Sequence, residues 1–122
     1  LGKVRVQPTE CLYLALEDNE RRLQDRMRTL LGNARPARGM LHYEFSWKAM
    51  GAGGLEDLRD WLDAHPGCRF VVIDTLARVR MAESGKGGNS YLDDYKAMSA
   101  LQRLAMSNRI AMLMIHHLPV KK

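Results

Sequence analysis

Polar doublets close three apolar runs in this sequence. Glu17-Asp18 follows Cys11-Leu-Tyr-Leu-Ala-Leu16, Asp74-Thr75 follows Phe70-Val-Val-Ile73, and His116-His117 follows Ile110-Ala-Met-Leu-Met-Ile115. Each doublet has a chemistry. An aspartate such as Asp74, with Thr75 beside it, can hold Mg²⁺ through water in a nucleotide site. A nearby carboxylate such as Glu17 can orient and deprotonate an attacking water. An imidazole, from His116 or His117, can reach a γ-phosphate and report its loss. Each also has an ordinary explanation. Acidic residues favour a helix N-terminus, an apolar run ending in Asp arises by chance, and a His pair after a strand is a common loop feature. The catalytic reading therefore depends on whether the fold brings the three doublets together.

The elements between them suggest that it does. Glu20 to Leu31 is charged except for Leu23, Met27, Leu30 and Leu31, a single apolar stripe at helical spacing. Asp18 or Asn19 can cap this helix, and Gly32-Asn33 can stop it. From Met40 to Trp47, apolar and polar residues alternate as in a less buried strand near an edge. Leu55, Leu58, Trp61 and Leu62 mark a second helix, ending before Pro66-Gly67. A third helix is expected from Tyr91 to Ser107, with Tyr91, Leu92, Tyr95, Met98, Leu101, Leu104 and Ala105 on its apolar face.

Strands alternating with helices imply an α/β fold with an open, mostly parallel twisted sheet. A closed eight-stranded barrel needs about 250 residues, and the chain has 122. The three apolar runs suit strands covered by helices on both faces. In such sheets ligands bind beyond the carboxyl ends of the strands, where all three doublets would lie.

Composition narrows the class further. Hydrophobic residues make up 46% and charged residues 27%, as in an ordinary globular domain rather than a disordered tail. The net charge of +5 favours contact with phosphates without requiring it. No apolar run approaches the roughly 20 residues of a membrane span, and no signal-peptide pattern begins the chain. Cys11 and Cys68 have no metal-ligand spacing and read as packed thiols, which suits a reducing, cytoplasmic compartment. Gly51 to Gly54 is a linker. Residues 81–90 form a glycine-rich loop, expected to be mobile and a candidate for partner contact. Lys86 in this loop is followed by Gly87 rather than Ser or Thr, and G-x-x-x-x-G-K-[ST] occurs nowhere in the chain.

Four blocks in this order carry a resemblance: Leu12-Tyr-Leu-Ala-Leu-Glu-Asp-Asn-Glu-Arg-Arg-Leu23, Val72-Ile-Asp-Thr-Leu-Ala-Arg-Val-Arg80, Tyr91-Leu-Asp-Asp-Tyr95 and Ile115-His-His117. Together they closely resemble the RecA-like P-loop ATPases of the RepA helicase type, a group of AAA-labelled domains, over nearly the whole chain. The resemblance implies ATP and Mg²⁺ as ligands. It implies Glu17 as the water-activating residue, Asp74 as the Walker B aspartate, and His116 or His117 as the phosphate sensor. It further implies a homo-oligomeric ring acting on DNA. The Walker A loop of such proteins is expected upstream of Leu1, so the chain is read as an internal part of a RecA-like core, inactive by itself. Three alternatives stay open on the residues alone. One is a non-catalytic nucleic-acid-binding module using Arg21, Arg22, Arg26, Arg28, Arg35 and Arg38. Another is a receiver-like domain with Asp74 as phosphoacceptor, and the third is a metal hydrolase built on Asp74, His116 and His117.

Overall fold

A computed structural model describes residues 8–34, 38–80 and 90–116. Four strands, β1 (Glu10–Ala15), β2 (Leu41–Glu44), β3 (Cys68–Asp74) and β4 (Ala111–Ile115), form one sheet in the order β2-β1-β3-β4. Every neighbouring pair is parallel. Three helices connect them: α1 (Glu20–Leu31), α2 (Gly54–Ala64) and α3 (Ser90–Asn108). The expected open parallel α/β architecture is therefore observed.

Local chemistry sets the element ends. Asn19 is extended, and its side chain accepts a hydrogen bond from the Arg22 amide at 2.9 Å, capping α1. At the other end Gly32 adopts φ 57° and its amide donates to Arg28. Gly54 opens α2 against the carbonyls of Lys48 and Ala49, so closely that a Cβ there would overlap both oxygens. The Trp47 indole donates to the Gly54 carbonyl at 3.0 Å, closing this corner.

Register builds the core. Leu12 pairs with Val71 and Leu14 with Ile73, and all four side chains are fully buried. Leu58 and Leu62 of α2 and Leu101 and Leu104 of α3 belong to the same cluster. Each buried leucine of this kind is worth about 1.5–3 kcal/mol relative to exposure.

Three expectations need correction. The second strand is shorter than the Met40–Trp47 alternation suggests, because pairing with β1 ends at Glu44. The apolar runs are not covered equally on both faces. Among the described residues α2 and α3 pack on one face, while α1 reaches the other beside β2 through Leu23, Met27, Leu41 and Tyr43. Leu113 of β4 is consequently 50% exposed. The apolar face of α3 is rotated from the expected one over its first half: Tyr91, Leu92, Tyr95 and Met98 are exposed and Asp94, Ala97 and Ala100 are buried, whereas Leu101, Leu104 and Ala105 are buried as expected. The small side chain of Ala97 allows close approach, and Asp94 turns inward toward ionic partners described below.

Candidate functional site

The register aligns the carboxyl ends of three adjacent strands. Ala15 of β1 pairs with Asp74 of β3, which pairs with Ile115 of β4. Glu17 and His116 lie just beyond this row. Strands in a sheet are about 4.8 Å apart, so β1 and β4 emerge within about 10 Å of each other on either side of Asp74. The Leu16 amide donates to the Asp74 carbonyl at 2.8 Å, extending the ladder to the edge itself.

Asp74 sits at the centre of the edge. The Tyr13 hydroxyl of the neighbouring strand donates to its Oδ2 at 3.4 Å, so its hydrogen-bond partner is a neutral phenol rather than a cation. Burial, and then the charge of Asp74, push the Tyr13 pKa above its ordinary value. The peptide joining Asp74 to Thr75 is cis. Thr75 is buried, and its hydroxyl donates to Glu17 Oε1 at 3.0 Å.

Glu17 is held from a second direction. Arg78, on the short 3₁₀ turn Leu76–Arg78, donates through Nε to Oε1 at 2.8 Å and through Nη2 to Oε2 at 3.1 Å. This two-pronged contact fixes the carboxylate plane, and its hydrogen bond and charge raise the Arg78 pKa. The adjacent Asp18 has a different role. Its carboxylate takes Arg22 Nε and Arg26 Nη1, each at 3.0 Å, and so secures the start of α1.

On the other side of Asp74, His116 Nε2 lies 3.0 Å from Oδ2 of Asp94, so the ring carries its proton on that nitrogen. Arg80 Nε lies 3.0 Å from Asp94 Oδ1. The Arg80 pair is a charge contact rather than an aligned hydrogen bond, since neither of those two buried atoms has a hydrogen-bond partner among the described residues. Asp94 itself is 7% exposed. His117 and the glycine-rich stretch with Lys86 lie outside the described residues.

Of the residues singled out in the sequence, Glu17, Asp74, Thr75 and His116 thus share one edge of the sheet. Tyr13, Arg78, Arg80 and Asp94 join them there and were missed as functional candidates. Tyr13, Arg78, Arg80 and Asp94 all fall within the sequence blocks that carry the family resemblance. Tyr13 is hidden inside an apolar run. The broad groove of about 780 Å³ between α1 and β2 lies away from this edge and gathers none of these groups.

Burial also pushes the thiols of Cys11 and Cys68 above their ordinary value of 9.0. Together with Tyr13, ordinarily 10.0, they give a testable pH dependence. The native state holds these protons to higher pH than the unfolded chain, so it binds more protons in the alkaline window. Unfolding free energy then falls with rising pH. Stability from this source should be intact below about pH 9 and decline above it. Urea midpoints at about pH 8 and about pH 10.5 measure the decline, and a Cys68→Ala variant should flatten it.

An all-parallel sheet with polar groups gathered at its carboxyl edge is the arrangement in which open α/β domains bind their ligands. A family model described as an AAA domain matches residues 1–122, and the chain belongs to that family. It is thus an ATPase-type domain, of a class that generally binds ATP with Mg²⁺. Comparison with curated proteins gives no match. Among the described residues no helix is long and apolar enough to cross a membrane.

Proposed function

We infer that this chain is the hydrolytic part of an ATP-driven motor domain of the RepA helicase type, one that assembles as a ring in the cytoplasm and acts on DNA. The observation that carries the reading is the convergence of Glu17, Asp74-Thr75 and His116 beyond three adjacent parallel strands in an AAA-family domain. No G-x-x-x-x-G-K-[ST] occurs among the 122 residues, so the reading rests on the carboxyl-edge groups and not on a phosphate cradle.

The donor set suits Mg²⁺. Asp74 offers a hard carboxylate at the end of a buried strand, and its hydrogen-bond partner is a phenol that does not neutralise it. Mg²⁺ keeps several waters and takes one or two carboxylates. When bound, the ion neutralises charge developing on the phosphates. Asp74 would hold the ion through water, and Tyr13 fixes the carboxylate. Glu17 accepts the proton of the attacking water, with Thr75 and Arg78 setting the direction of its lone pairs. His116, aimed by Asp94 through Nε2, is the sensor of the terminal phosphate. His117 remains a second candidate for that role.

The net charge of +5 favours a polyanionic partner. A purely DNA-holding role for the α1 arginines is less well supported, because Arg22 and Arg26 are engaged by Asp18 and Arg28 by Asp25. The direct test is Mg²⁺-dependent ATP binding by the full-length protein carrying Asp74→Asn. Affinity in Mg²⁺ should fall about tenfold or more, toward the value measured in EDTA, a loss of about 1.4 kcal/mol. Wild-type affinity in Mg²⁺ for this variant defeats the assignment.

A further inference from the structure

At the opposite edge of the sheet, three metal-ligating side chains meet. Glu10 is the first residue of β1, His42 lies on β2, and His65 caps the C-terminus of α2. One ligand atom from each falls within 4.8 Å of the other two. All three residues are half-buried. At about 3.3 Å per residue, β1 separates this cluster from the Glu17–Asp74 edge by roughly 20 Å. The nucleotide chemistry makes no use of it.

The cluster is held by contacts outside its donor atoms. His65 Nδ1 lies 2.8 Å from the Trp61 carbonyl, so Nδ1 carries the proton and Nε2 keeps its lone pair. A backbone carbonyl on the far ring nitrogen is the arrangement that orients metal-binding histidines. The Trp61 indole stacks on the His65 ring at 3.8 Å and 13°, and it meets His42 edge-on at 5.2 Å. The two imidazoles sit 4.8 Å apart. Glu10 Oε1 is 2.7 Å from His42 Nε2. Its other oxygen lies against Gly67, where an added Cβ would come within 2.9 Å.

We propose that Glu10, His42 and His65 form a binding site for a borderline divalent transition metal, Zn²⁺ being the best fit. Two imidazoles and one carboxylate are a donor set for zinc rather than for Mg²⁺ or Ca²⁺, which prefer oxygen alone. Tetrahedral zinc with bonds of about 2.0–2.1 Å needs donors about 3.3 Å apart, so the 2.7 Å Glu10–His42 contact must open by about 0.6 Å and separations of up to 4.8 Å must close by up to about 1.5 Å. The cation takes the place of the proton between His42 Nε2 and Glu10, and that proton moves to His42 Nδ1, so the ring stays a neutral ligand. Water completes the fourth position. The site ties together β1, the short strand β2 and the end of α2, elements far apart in sequence.

Equilibrium competition between the EDTA-stripped full-length protein and a chromophoric zinc chelator tests this, with Zn²⁺ alone as the probe. One zinc per chain is expected, together with a zinc-dependent rise in melting temperature and a change in Trp61 fluorescence. His42→Gln and His65→Gln, chosen to preserve polarity and bulk, should each weaken binding tenfold or more and remove the zinc-dependent rise. Three results overturn the site: no stoichiometric uptake by the wild-type protein, uptake unchanged in the His42→Gln/His65→Gln double variant, or a thiolate charge-transfer band on Co²⁺ loading. The last would move the ligands to Cys11 or Cys68. ATP binding by the double variant should match wild type, so failure of the zinc site is separable from failure of the nucleotide reading.

Discussion

Glu17→Gln should stop ATP turnover in the full-length protein while leaving ATP bound. A positioned general base contributes about 10²–10⁴-fold to rate, and glutamine cannot take a proton from water. The substitution spares the rest of the edge. The new amide's carbonyl oxygen can still accept from the Thr75 hydroxyl, now 3.0 Å from Glu17 Oε1, and from one arm of Arg78. Asp74 and its Tyr13 partner are not touched by the change. Transition-state stabilisation is therefore lost without a comparable loss of ground-state binding, and kcat falls while nucleotide affinity stays within a few-fold of wild type. Phosphate release and equilibrium binding of a fluorescent ATP analogue measure the two separately. If affinity collapses in step with turnover, Glu17 belongs to the binding cradle and the base must be sought elsewhere.

Much of this edge was legible because it is built by local rules. Apolar runs of strand length ending in a polar residue mark where strands emerge, and parallel connections bring those ends to one side. Glu17, Asp74 and His116 could be placed from these two facts. What could not be read was which partner each side chain chooses. Arg78 lies 61 positions from Glu17 in sequence and reaches it only because a 3₁₀ turn follows Thr75. Nothing in a run of Leu-Ala-Arg announces that turn. The rotation of α3 was hidden for a related reason. Counting apolar residues at helical spacing assigns Tyr91, Tyr95 and Met98 to the buried face. The helix instead buries an aspartate, whose partners come from the end of β4 and from the segment after β3. Hydrophobic periodicity cannot anticipate a buried charge, because the compensation comes from other elements. The Glu10–His42–His65 cluster was equally opaque: its members are spaced like no metal motif and meet only through strand pairing and a helix end.

Asp94 is where that buried charge can be weighed. Its side chain is 10% exposed, whereas those of Arg80 and His116 are 32% and 37% exposed. Removing one partner of a fully buried pair costs about 3–5 kcal/mol, because the other is left desolvated and uncompensated. Here the partners retain partial access to water, which screens part of the loss. Asp94→Ala should therefore destabilise the domain by about 2.5 kcal/mol, lowering its melting temperature by about 10 °C. Asp94→Asn keeps the volume and an acceptor for His116 but loses the charge opposite Arg80, and should cost about half as much. The decisive measurement is a double-mutant cycle with Arg80→Ala. If the two side chains form one charge pair, Asp94→Ala in the Arg80→Ala background costs at least about 1 kcal/mol less than in wild type. Simple additivity would mean that Asp94 owes its stabilising effect to His116 and to packing rather than to Arg80. In that event the aspartate would orient His116 without any help from Arg80.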